Sequence, residues 1–72
     1  MDVREATKIV REYFDSIKKI KFIFDIRSAK LTENGWIITC DIQNVFDEEP
    51  ISYEILVDDE TGDILYVEES EE

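Results

Sequence analysis

Seventy-two residues, 43% of them hydrophobic, make one small domain with a modest core and exclude an unfolded, charge-dominated chain. The single cysteine excludes an intramolecular disulfide, and the absence of histidine removes the commonest general base near neutral pH and the commonest metal ligand. The net charge of −11 is lopsided: all eight basic residues lie in the first 30 positions beside five acids, then fourteen acids follow without a base, which argues against nucleic acid as a direct ligand.

The chain opens on a helical period. Val3, Ala6, Ile9, Val10, Tyr13, Phe14, Ile17 and Ile20 recur at threes and fours, and at about 100° per residue they fill one arc of roughly 140° without a charge in it. Asp2 and Glu5 have the spacing of a capping box, with aspartate in the place of serine or threonine. Lys18, Lys19 and Lys21 stand where the helix dipole favours cations. Together these predict a helix over about residues 3–19.

After Lys21 the period drops to two. Phe22, Phe24 and Ile26 alternate, and the pattern resumes one residue out of step at Ala29 and Leu31, which a bulge near Arg27-Ser28 restores to one face. Asn34-Gly35 predicts a two-residue hairpin turn of type I′, since both positions tolerate positive φ. That turn pairs Glu33 with Trp36, Leu31 with Ile38 and Ala29 with Cys40, and the bulge lets Ile26 face Ile42. Trp36, Ile38, Cys40 and Ile42 make the second strand, and Asp47-Glu48-Glu49-Pro50 breaks it.

Ile51, Tyr53, Ile55 and Val57 alternate along a third strand. Asp59-Glu60-Thr61-Gly62 reads as a type I turn closed by a left-handed glycine, with Ile64 to Val67 as the fourth strand and an acidic, frayed tail from Glu68 to Glu72. The expected fold is α+β: one N-terminal helix packed on a four-stranded antiparallel β-meander, in the order α-β-β-β-β, over a single domain of residues 1–72. No apolar run approaches the roughly 20 residues of a membrane span, and no export leader is evident, so the expected location is cytoplasmic.

One helix covers one face of a sheet. In a glycine-bulge register Val57 faces Leu65 and Ile55 faces Val67 on the helix side, which sends Ile37, Leu56, Ile64 and Tyr66 to the other face. These four are the candidate interface, and the expected partner is a second copy in a homodimer, or another protein. A second reading makes the chain an acidic mimic that binds and blocks a basic nucleic-acid-binding protein.

Chemistry finds little purchase. Cys40 falls on the core side of a central strand, where a thiol behaves as a small hydrophobe. Ser16, Ser28, Ser52 and Ser70 lack a nucleophile elbow or an activating base. Asp58 to Asp63 is acidic, but Gly62 is fifth from Asp58 where a helical calcium loop needs its glycine sixth. The expectation is a non-catalytic chain with no metal, no cofactor and no small-molecule substrate.

The run Tyr53-Glu54-Ile55-Leu56-Val57-Asp58-Asp59-Glu60-Thr61-Gly62-Asp63-Ile64-Leu65 resembles the closing hairpin of PepSY-like domains, within a likeness that spans about residues 36–67. More loosely, Trp36, Pro50, Tyr53-Glu54, Asp58, Gly62 and Tyr66 look like the gas-vesicle protein O family. The first resemblance implies a helix-then-meander order and a binding or inhibitory module, and it carries no catalytic residue across.

Overall fold

The computed structural model describes residues 1–18 and 21–70. They form helix α1 (Val3–Ile17) and strands β1 (Phe22–Thr32), β2 (Gly35–Asn44), β3 (Ile51–Val57) and β4 (Ile64–Glu69). The four strands make one antiparallel sheet in the order β1-β2-β3-β4, so the α-β-β-β-β meander expected from the sequence is the observed fold. Among the described residues no helix is long and apolar enough to cross a membrane.

The start of α1 follows from its cap. The Asp2 carboxylate accepts the Glu5 backbone N–H at 2.9 Å, which satisfies one of the donors a helix start leaves bare. Ala6, Val10 and Phe14 are buried against β1, β2 and β3, with Ile9 and Tyr13 on the flanks of that stripe. The Phe14 ring anchors the join, with centroids 5.2 Å from Tyr53 and 6.2 Å from Phe24.

The helix stops at Ile17, short of the expected 19. Ile17 is 54% exposed, so the apolar stripe has already run off the sheet and a further turn has nothing to bury. Lys18 becomes an extended C-cap whose N–H donates to the Phe14 carbonyl at 3.0 Å. No basic residue therefore stands in the last turn, contrary to the dipole reading; Lys21 lies past the helix, and Lys19 and Ile20 lie outside the described residues.

The bulge forms where the alternation breaks: Ile26 pairs with Cys40 and Ser28 with Thr39, leaving Arg27 as the extra residue. The hairpin ahead of it is closed two residues away from the expected register. Thr32 pairs with Gly35, Leu31 with Trp36 and Ala29 with Ile38, and Phe24 faces Ile42 in place of Ile26. The turn residues are thus Glu33 and Asn34, and neither takes positive φ, so no type I′ turn forms.

Gly35 explains the difference. Its φ is +130°, and a Cβ there would lie 2.3 Å from the Val57 carbonyl oxygen, so the glycine serves the close approach of β3 inside the ladder. Thr32 organises the turn in its stead. Its hydroxyl donates to the Gly35 carbonyl at 2.8 Å and accepts the Asn34 N–H at 3.2 Å.

The last hairpin keeps Ile55 opposite Val67, as expected, but sets Val57 opposite Ile64 and leaves Leu65 as the extra residue. The Asp58 carboxylate accepts the N–H groups of Glu60 and Thr61 at 2.8 and 2.9 Å, and Gly62 closes the turn in the left-handed region at φ +78°. Trp36 ties this turn to the neighbouring hairpin, its indole N–H donating to Asp59 Oδ1 at 3.0 Å. Beneath lies one core of Ala6, Val10, Phe14, Ile38, Cys40, Ile42, Ile55 and Val57.

Candidate functional site

Among the described residues no second layer covers the face of the sheet turned away from α1. Near the Gly35 end of β2 runs a cross-strand row in which Lys30 faces Ile37, Ile37 faces Leu56, and Leu56 faces Tyr66. Leu56 is only 8% exposed, because its neighbours close over it, while Ile37 and Tyr66 are half-buried. The rows beyond are polar: Thr39 faces Glu54, which faces Glu68, and Asp41 faces Ser52. The apolar part of the face is therefore a narrow strip.

Hydrogen bonds set the edges of that strip. The Tyr66 hydroxyl donates to Glu54 Oε2 at 2.9 Å, and that bond to a carboxylate, with partial burial second, raises the phenol above its ordinary 10.0. The Ser52 hydroxyl donates to Asp41 Oδ1 at 2.6 Å, and the Arg27 guanidinium approaches the same oxygen at 3.9 Å.

Three of the four candidate interface residues, Ile37, Leu56 and Tyr66, meet on this face. Ile64 does not. With the bulge at Leu65, Ile64 pairs with Val57 on the helix side and packs against the core. Leu65 is 52% exposed in its place.

Two further surfaces escaped the sequence reading. The connection from β2 to β3 lifts Val45 and Phe46 into solvent, Phe46 at 85% exposure, beside the exposed Ile23. Asn44 and Asp47 pin the loop, the Asn44 amide donating to Asp47 Oδ2 at 2.7 Å and the Asp47 N–H to the Asn44 carbonyl at 3.0 Å. The available signal was an apolar pair placed directly before the acidic break, outside any alternation.

The second surface is a shallow groove of about 400 Å³, wide open to solvent, between α1 and β1, lined by Arg4, Thr7, Lys8, Arg11, Phe24 and Ile26. It exists because the helix does not reach over the outer side of β1, which leaves Ile26 38% exposed. Lys8 and Arg11 make loose pairs along the helix with Glu12 and Asp15 at 3.9 and 4.0 Å, and exposed pairs of this kind are worth about 0.3–0.5 kcal/mol. Both cations are readily exchanged to another acceptor.

The acidic turns carry less. A notch of about 270 Å³ lies between Glu33-Asn34 and Asp58-Asp59-Glu60, open to solvent. Asp58 is half-buried, and its carboxyl is held below the ordinary aspartate value by the N–H groups of Thr61 and Glu60. No group of three or more metal-ligating side chains gathers among the described residues. Cys40 is buried, and that burial, with the Asp41 charge second, pushes its thiol up to about 12.

Comparison with protein-family models, curated proteins and solved structures finds no match to this chain.

Proposed function

We propose that the chain is a non-catalytic protein-binding or assembly module of PepSY-like kind, cytoplasmic, that self-associates through its open sheet face. The reading rests on one observation: the strip Ile37-Leu56-Tyr66 lies aligned across three strands with no layer above it among the described residues. The likeness of the closing hairpin to PepSY-like domains supports the same class. Two such strips meeting about a two-fold axis bury each other, which is the simplest closed assembly.

Sedimentation at rising concentration tests it. The expected result is a dimer that Tyr66→Asp shifts towards monomer; a strictly monomeric profile at millimolar concentration rejects the reading.

A second reading, the acidic mimic, draws on the company this strip keeps. Asp41, Glu54 and Glu68 share the open face, while no basic residue follows Lys30. It requires capture of basic nucleic-acid-binding proteins and release of that catch by added DNA. Capture that DNA leaves intact sinks it.

A further inference from the structure

The sheet ends in two unlike edges, β1 and β4. Beside β1 lies the groove between strand and helix, with apolar floor residues Phe24 and Ile26 and three cations, Arg4, Lys8 and Arg11, along its wall. It is a cationic surface on a molecule of net charge −11. At the opposite edge β4 carries Glu68 and Glu69, exposed, together with Leu65, also exposed. The molecule thus bears two complementary surfaces on opposite sides, where they cannot meet within one copy.

We propose that the groove beside β1 receives strand β4 of a second copy, extending the sheet head to tail. This rests on charge complementarity and edge geometry, and is independent of the open-face strip. The directions agree. In an antiparallel meander of four strands β1 and β4 run oppositely, so a copy shifted along the sheet brings β4 antiparallel to β1. Side chains then keep their faces: Val67 and Glu69, on the helix side of β4, come to lie beside Phe24 and beneath the basic wall of α1.

The bulge limits where this happens. Arg27 divides β1 into two regular stretches, and the one beside the groove is Phe22 to Ile26, against the six residues of β4. Asp25 is the one acid within it, and Lys21 and Arg27 flank it. The contact is heterologous and so forms open chains of copies, unlike the closed dimer of the sheet face.

Salt separates the two modes. Screening weakens the overall repulsion between copies, so apolar association through the open face strengthens or holds as sodium chloride rises. Association through the groove depends on local attraction and weakens, by about tenfold or more between about 0.05 and 0.5 M. The experiment is sedimentation velocity of the intact chain across that range, alone and as two charge-reversed variants. One carries Arg4→Glu, Lys8→Glu and Arg11→Glu; the other carries Glu69→Lys. All four side chains are exposed, so both variants keep the fold, which circular dichroism checks.

Each variant alone is expected to lose the association that weakens with salt, and their equimolar mixture to regain it, since each supplies the charge the other's groove or strand lacks. Zero-length carbodiimide coupling of mixed labelled and unlabelled wild-type chain gives a second readout, with Lys8 joined to Glu69, on the helix side of β4, between copies. A chain monomeric at every salt concentration overturns the proposal. So does salt-weakened association that persists in both variants, or a mixture that fails to restore it. Association that strengthens with salt and is lost in Ile37→Asp belongs to the open face, overturning the groove while leaving the proposed function standing.

Discussion

Gly35 and Gly62 both sit at positive φ, yet for different reasons, and their substitution separates the two. At Gly62 an alanine Cβ meets the end of the flexible Ile9 side chain at 3.2 Å, so Gly62→Ala costs mainly the left-handed backbone, about 1–2 kcal/mol. At Gly35 the same change sets Cβ against a fixed carbonyl at 2.3 Å, and the β2–β3 ladder must open. Urea denaturation should show Gly35→Ala as the more damaging by more than about 1 kcal/mol. Cys40, its thiol pushed up to about 12 by burial, should resist alkylation in the folded chain at pH 8 and react at once in denaturant. The titrating groups bound stability from both ends. Asp58, lowered by the Thr61 and Glu60 N–H groups, contributes above the ordinary aspartate value of 3.8, and that contribution is lost as pH falls through its lower folded value. Tyr66, raised by its bond to Glu54, contributes below 10.0 and loses that contribution as pH rises through its higher folded value. Glu54→Gln should bring the ultraviolet titration of Tyr66 back towards 10.0.

Among the elements, α1 depends on its cap and its central ring. Asp2→Ala removes the acceptor for the Glu5 N–H and should cost about 1 kcal/mol, whereas Phe14→Ala empties the junction of helix and sheet and should cost about 3–5 kcal/mol by thermal or urea unfolding. The helix, its cap, the bulge at Arg27 and the facing of every strand residue on β2 and β3 were legible in the sequence, because period and capping spacing report directly on local geometry. The register of the first hairpin was not. A slip of two residues keeps each side chain on its own face, so alternation is blind to it. What decided it was a contact between Gly35 and Val57, 22 positions apart, for which a lone Asn-Gly signal gives no warning. The fourth strand shows the opposite case. Ile64 and Leu65 are both large and apolar, so the position of the bulge decides which turns inward, and a one-residue difference moved Ile64 out of the candidate interface and into the core.

At the scale of the molecule, charge dominates. With −11 on 72 residues the folded state repels itself, so the melting temperature should rise as salt is added, by differential scanning calorimetry at neutral pH; a flat or falling response contradicts this. The single hydrogen bond from Trp36 to Asp59 has a use of its own. Trp36 is the only tryptophan, it stands on β2, and its partner belongs to the turn between β3 and β4, so one fluorophore straddles the seam between the two hairpins. Its emission reports the parting of that seam with no label attached. If the last hairpin peels away before the rest melts, fluorescence will change ahead of the far-ultraviolet circular dichroism; if the sheet opens as one unit, the two curves will coincide.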